Sequence, residues 1–411
     1  MKSVNDYIAH IRTQFPALEQ QVYGKPLVYL DNAATTQKPF HVLSLLSEME
    51  GKINGNIHRA VHYLSAQSTA YYESARSAVG RFMGAKHDHE VIFTSGTTAA
   101  INLVAFSFGE AFVKKGDVIL VGEAEHHANI VPWQLMCARK GASVRVIPVD
   151  DAGRLRMDLV PRLMDNRVRL IAVSHISNVL GLVNPIREII SIARAWEVPV
   201  LVDGAQGIVH DKVNVVDLDC DFYLFSGHKL YGPTGTGVLY GKEFWLQQMP
   251  PWQGGGDMIS SVSFNGSTYA DLPLKFEAGT PNFIGLSGLG AAVEYVESLD
   301  KDVIEAHMLG LTKAGMEQLQ KIEGLRMYGI GIEDKIPLFS FSIEGVHATD
   351  LATLLDKMGY AVRSGQMCAE PILDKYNQTS LLRASFAIYN TQEELEGFVQ
   401  ALQKTISMLR G

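Results

Sequence analysis

A lysine stands between a strongly apolar run and a glycine-rich turn, in Ser226-Gly227-His228-Lys229-Leu230. Phe222-Tyr223-Leu224-Phe225 leads into it, and Tyr231-Gly232-Pro233-Thr234-Gly235-Thr236-Gly237 leads out. An ammonium group at the end of a buried strand is rare without a partner. Desolvation lowers its pKa and makes the amine a nucleophile toward a carbonyl. A Schiff base with pyridoxal phosphate is the use this chemistry predicts for Lys229. A lone lysine after a strand is more often an ordinary surface residue, so its company decides.

That company is specific. Asp203, in Val202-Asp203-Gly204-Ala205-Gln206, also follows an apolar strand. A carboxylate there would keep a pyridine nitrogen protonated, so that the ring can accept electrons. Gln206 would reach the phenolic oxygen of such a ring. Thr94-Ser95-Gly96-Thr97-Thr98 joins a strand to a helix, and such a junction offers an anion N–H groups, hydroxyls and a favourable dipole. Ser226 and His228 would add phosphate contacts. His126 and His127 are adjacent, a poor spacing for two metal ligands on a helix, and one of them suits stacking on a flat ring. Cys368 lies in a small, polar stretch after Val362-Arg363, where Arg363 would favour a thiolate. Arg383 sits inside an apolar run and is a candidate fork for a substrate carboxylate. Two other glycine patterns fail. Gly237 to Lys242 has one residue too few for a P-loop, and Gly235-Thr236-Gly237 lacks the third glycine of a dinucleotide turn.

The elements that must position these residues alternate. From about residue 68, helical spacing over 71–83, 99–112 and 130–139 is interleaved with short apolar strands. These strands lie at 91–94, 118–121, 143–148, 170–173, 198–202 and 222–225. Such strands imply a largely parallel sheet covered on both faces, with ligands at the strands' carboxyl ends. Ser95, Glu125, Asn178, Asp203 and Ser226 all fall just past such ends. A turn-rich excursion, read as a hairpin, occupies 254–281. After about 298 the pattern becomes α+β.

With 411 residues, two domains are expected. Hydrophobic content of 47% and charged content of 19% fit an ordinary globular chain. A net charge of -8 without a basic run argues against nucleic acid. The three cysteines, Cys137, Cys220 and Cys368, are too scattered for a disulfide framework or a zinc site, and no metal is expected. No stretch reads as a signal peptide or membrane span, so a cytoplasmic protein is expected.

As a set, these segments resemble the cysteine desulfurases of the class V aminotransferase group, in the SufS-like branch that includes selenocysteine lyases. The resemblance rests on Tyr29-Leu30-Asp31-Asn32-Ala33-Ala34-Thr35-Thr36, Asn56-Ile57-His58-Arg59 and Glu125-His126-His127-Ala128-Asn129. It continues through Ser177-Asn178-Val179-Leu180-Gly181, Asp203-Gly204-Ala205-Gln206, Ser226-Gly227-His228-Lys229, Phe276-Glu277-Ala278-Gly279-Thr280-Pro281 and 363–368. It implies the α/β fold type I of pyridoxal phosphate enzymes. A large domain (25–298) would hold a mostly parallel seven-stranded sheet sandwiched by helices. A smaller α+β domain (299–411) would carry the cysteine loop, and an N-terminal segment (1–24) would pack with it.

The resemblance also implies roles. Lys229 would bind the cofactor and move the Cα proton, Asp203 would meet the pyridine nitrogen, and His126 would stack on the ring. Gln206 would contact the phenolic oxygen. Thr97, Thr98, Ser226 and His228 would hold the phosphate, and Thr280 would reach the phosphate of the other subunit of a homodimer. Asn178 and Arg383, with Arg363 nearby, would bind the substrate carboxylate. Cys368 would take sulfur from L-cysteine, leaving L-alanine, and pass it to a SufE-like or SufU-like acceptor for iron–sulfur cluster assembly. Selenocysteine lyase, or another class V aminotransferase or lyase activity, is the alternative. Relatives often have histidines where Gln366 and Met367 stand, Arg at Ser95 and Glu at Ala99.

Overall fold

The computed structural model describes residues 4–59 and 61–411. Residues 1–3 of the expected segment 1–24 lie outside the described residues. One sheet is built from β1 (Val91–Thr94), β2 (Val118–Gly122), β3 (Ser143–Ile147), β4 (Val168–Ser174), β5 (Val200–Asp203), β6 (Phe222–Ser226) and β7 (Gly237–Gly241). Their spatial order is β1-β7-β6-β5-β4-β2-β3. All neighbours are parallel except β7, which runs against both β1 and β6. The expected mostly parallel sheet of seven strands is present.

Helices α1 (Tyr63–Met83), α2 (Thr97–Phe112) and α3 (Phe283–Glu297) pack on this sheet. Strand residues are apolar in succession because both faces are covered. Leu120, Val202, Tyr223, Phe225 and Val238 share a core with Val79 of α1 and with Leu286 and Leu289 of α3. Ile92, Ile119, Leu201, Leu224 and Leu239 join Ile101, Val104 and Phe108 of α2 on the other face.

The sequence reading places no strand at 237–241, whose glycines read as loop residues. Their need is steric. A Cβ on Gly237 would stand 2.3 Å from the Cα of Gly96, so glycine lets β7 pass the turn that follows β1.

A second, antiparallel sheet has the order β8-β9-β11-β10, with β8 (Leu325–Tyr328), β9 (Leu338–Ile343), β10 (Arg363–Gly365) and β11 (Leu381–Ser385). Phe339, Phe341, Leu382 and Ala384 bury one face against Leu395, Phe398 and Leu402 of α4 (Gln392–Arg410). The N-terminal residues reach the same sheet. Val28–Tyr29 pairs in parallel with Tyr360–Ala361, and Asp31 bridges to Ser385. The excursion after 254 contains the expected hairpin, Ile259–Ser263 against Gly266–Tyr269.

One buried ion pair ties this region to the sheet. Arg76 of α1 binds Glu277 through both guanidinium ends, at 2.7 and 2.9 Å. Tyr72 Oη and the Phe93 N–H also donate to that carboxylate, at 2.8 and 2.7 Å. The guanidinium lies 4.5 Å from the Phe93 ring centre. Glu277→Ala removes the buried carboxylate and leaves Arg76 only Glu73, at 3.0 Å on the helix surface, and the Val91 carbonyl at 2.8 Å, which should cost about 3 kcal/mol. Urea unfolding reads this directly, and an unchanged midpoint contradicts it.

Candidate active site

The ends of β1, β4, β5 and β6 converge on a cavity of 210 Å³. Thr97, Thr98, His126, Asn178, Asp203, Gln206, Ser226, His228, Lys229, Arg363, Cys368 and Arg383 all line it. Thr280, also expected in the cofactor site, lies exposed on the loop after Glu277, outside this cavity.

Lys229 sits in the short turn Gly227–Lys229 that closes β6. Burial pushes its amine down to about 8; Asp203 works against that shift and Arg383 with it. The Asp203 carboxyl is raised by burial, while the Ala205 N–H at 2.9 Å and the charge of Lys229 pull it back. Glu125 is a second buried carboxyl close enough to act on Asp203, one to which the sequence reading gives no role. It accepts from Asn129 Nδ2 at 2.7 Å and the Ser174 N–H at 3.0 Å. Burial pushes it up to about 8, and Asp203 adds to the rise.

His126 accepts the Ala128 N–H on Nδ1 at 3.0 Å. The proton of its neutral ring therefore sits on Nε2. Burial, then the charge of Lys229, push it down to about 4, so the neutral form holds at physiological pH. His228 is likewise pushed down to about 4, by burial and then by Lys229.

The start of α2 carries no charged side chain. Its N-cap, Gly96, has no side chain to cap with, and Ser226 Oγ accepts the Thr97 N–H at 2.8 Å and lies 2.8 Å from Thr97 Oγ1. A helix start built this way favours an anion without a side-chain cation. Gln206 donates from Nε2 to the Ala33 carbonyl at 2.8 Å while facing the cavity.

The cysteine loop is held by three bonds. The His127 N–H donates to the Cys368 carbonyl at 2.7 Å, and His127 Nε2 accepts from the Glu370 N–H at 3.0 Å. Asn178 Nδ2 donates to the Met367 carbonyl at 2.8 Å. Asn178, expected at the substrate carboxylate, supports the loop with its side chain. The sequence reading assigns no function to His127, whose signal lies in contacts across the fold.

Met367 and Cys368 both take left-handed backbone, with φ of 55° and 54°. Each such non-glycine residue costs roughly 1–2 kcal/mol. Met367 is buried in the main core, which offsets the strain and leaves Cys368 exposed at the cavity. Met367 lacks the proton relay of a histidine, but it anchors the loop.

Arg383 is buried. Its Nη1 donates to the Asn178 carbonyl at 2.9 Å and its Nη2 to Asp31 Oδ1 at 3.0 Å; its Nε has no partner among the described residues. Arg363 stands opposite it across the β10–β11 ladder and meets Asp31 Oδ2 at 3.4 Å. Two like charges in cross-strand register require a shared counter-ion. Asp31 is that ion, a residue seen in the sequence as part of a motif without a function.

The class V aminotransferase family profile matches residues 28–398. The chain belongs to the class V aminotransferase family. This family member is 46% identical over 400 residues to a cysteine desulfurase of Escherichia coli O7:K1, covering 97% of this chain and 98% of that one. It is 46% identical over 399 residues to a probable cysteine desulfurase of Vibrio cholerae serotype O1, with the same two coverages. Among solved structures, Escherichia coli cysteine desulfurase CsdA, in its S-sulfonic acid form, superposes with a TM-score of 0.91 at 41% identity over 98% of each chain. The apo cysteine desulfurase of Thermococcus onnurineus NA1 gives 0.90 at 36% identity, over 96% of this chain and 98% of that one.

The residues fit the family's cofactor, pyridoxal phosphate. A helix start lined by the hydroxyls of Thr97 and Ser226 suits the phosphate, the buried Asp203 a ring nitrogen, and the Lys229 amine an aldehyde. Among the described residues no helix is long and apolar enough to cross a membrane.

Proposed function

We propose that this chain is a pyridoxal phosphate-dependent cysteine desulfurase that converts L-cysteine to L-alanine and takes the sulfur onto Cys368. The meeting of Lys229, Asp203 and Cys368 around one cavity carries the reading. The similarity to cysteine desulfurases over nearly the whole chain supports it.

When bound, pyridoxal phosphate supplies a sink for the electrons released at the substrate Cα. Lys229 is the covalent anchor and moves the Cα proton, a task suited to an amine poised at about 8. Asp203 would keep the ring nitrogen protonated. His126 would stack on the ring, with its proton on Nε2. Thr97, Thr98, Ser226 and His228 would hold the phosphate, and Gln206 the phenolic oxygen. The buried Arg383, fixed by Asp31 and joined by Arg363 and Asn178, receives the substrate carboxylate.

Cys368 Sγ attacks the substrate sulfur. The new S–S bond leaves a persulfide on Cys368, the C–S bond breaks, and the substrate carbon takes up a proton to give alanine. The persulfide then passes to an acceptor protein, SufE-like or SufU-like, for iron–sulfur cluster assembly in the cytoplasm. The enzyme acts as a homodimer in which Thr280 completes the phosphate site of the partner. The division into 25–298 and 299–411, with 1–24 packed on the smaller part, belongs to the same proposal.

Incubation with L-cysteine and no reductant tests the reading. The peptide carrying Cys368 should gain one sulfur atom while alanine appears; alanine without that gain refutes the cysteine's role. Arg383→Ala should raise KM for L-cysteine about tenfold to a hundredfold, with a smaller change in kcat. Steady-state alanine release separates the two parameters, and an unchanged KM removes Arg383 from the carboxylate site.

A further inference from the structure

Four consecutive carbonyls, those of residues 178–181, accept hydrogen bonds from the C-terminal part of the chain. Arg383 Nη1 donates to Asn178 O at 2.9 Å and Ser340 Oγ to Val179 O at 2.5 Å. Lys335 Nζ donates to Leu180 O at 2.6 Å, and the Ile336 N–H to Gly181 O at 2.9 Å. At the head of this segment the Asn178 side chain holds the Met367 carbonyl at 2.8 Å, next to Cys368. Gly329 makes room for the grip: a Cβ there would stand 2.3 Å from Leu180 O. The segment thus has one edge fixed by the second sheet and one end on the cysteine loop.

Lys335 is an unusual donor for such a place. It is buried, and among the described residues no carboxylate pairs with it. The neighbouring Asp334 spends its carboxylate on Arg154, at 2.6 and 3.0 Å. The Phe339 ring centre lies 5.8 Å from the ammonium. An unpaired buried cation is costly, and an apolar side chain would fill the space more cheaply. The Leu180 carbonyl, itself buried by its surroundings, is what a donor there satisfies. Burial pushes Lys335 down to about 7, with Asp334 opposing and Arg154 assisting.

We propose that Lys335 and Ser340 are positioning residues for the sulfur-accepting loop, acting on Cys368 through the carbonyls of residues 179–180 and the side chain of Asn178. The inference rests on the reading of Cys368 as the sulfur acceptor. Neither residue lines the cavity, so neither touches the substrate.

The test uses the holoenzyme, with Lys335→Met and Ser340→Ala made separately. Cys137 and Cys220 are buried, so iodoacetamide reports on Cys368. A loop displaced by even a fraction of its present precision should change the alkylation rate at least about threefold and lower kcat for alanine about tenfold. Cofactor absorbance should stay at the wild-type level, which a general loss of folding would not allow. The proposal is overturned if both variants alkylate and turn over like wild type. It is equally overturned if their losses follow lost cofactor absorbance alone. Should Lys335→Met fail to fold, the smaller Ser340→Ala change decides. Wild-type enzyme that releases no alanine would sink the functional reading instead, while the alkylation comparison would still judge the loop.

Discussion

Lys229→Ala lowers alanine formation from L-cysteine by about 10³–10⁴-fold, the upper range for a lost acid–base group. Among the described residues no other lysine lines the cavity, so none of them replaces the amine. Arg363 and Arg383 cannot, because a guanidinium stays protonated. Lys229→Arg should therefore fail as fully as Lys229→Ala. The amine's lowered pKa adds a pH signature. A drop from 10.5 to about 8 raises the free-base fraction at pH 7 roughly 300-fold. Loading of the apoprotein with pyridoxal phosphate should then accelerate about tenfold per pH unit up to about 8 and flatten above it. A rise that continues to pH 10 would show an amine of ordinary basicity and remove the physical basis for its choice.

Cys368→Ala should lower alanine release from L-cysteine by at least about a hundredfold and abolish the sulfur gain, while loading with cofactor stays intact. Cys368 is exposed at the cavity, whereas Cys137 and Cys220 are buried. Burial pushes the Cys137 thiol up to about 11, so it offers no substitute thiolate. Cys368→Ser keeps the loop's shape and should be equally inactive, because a hydroxyl is a poor nucleophile toward sulfur. Selenocysteine supplies the contrast. If Cys368→Ala releases alanine from selenocysteine at full speed and wild type favours that substrate, the enzyme is a selenocysteine lyase. Normal turnover of L-cysteine by the variant would discard the nucleophile altogether.

The parallel sheet was legible in the sequence because strands covered on both faces are short and continuously apolar. The site was legible for the same reason: Asp203, Ser226 and the residues after Thr94 sit where such runs stop, which is where a parallel sheet opens to ligands. Strand β7 was not, since glycines required by the close passage of Gly96 look like loop residues. Pairings across long stretches were not either. Arg76 and Glu277 are 201 residues apart, and no local period links them. Asp31 between two arginines, His127 on the cysteine loop and Asn178 on Met367 each have a partner that only the folded chain brings near. Motifs mark which residues carry chemistry; their supports are dispersed.

The clamp of Asp31 on Arg383 joins residues 352 positions apart, and the strand at Val28–Tyr29 finds its neighbour only at Tyr360–Ala361. A ribosome releases the first of these partners long before the last. Until residues 360–383 have been made, the N-terminal strand has no mate and the Asp31 carboxylate no arginine from the second sheet. The corner of the cavity around Arg383 is therefore assembled only after every strand of the first sheet has been synthesised. A nascent chain stalled before residue 383 should be unable to engage the amino-acid substrate, however well its sheet has formed.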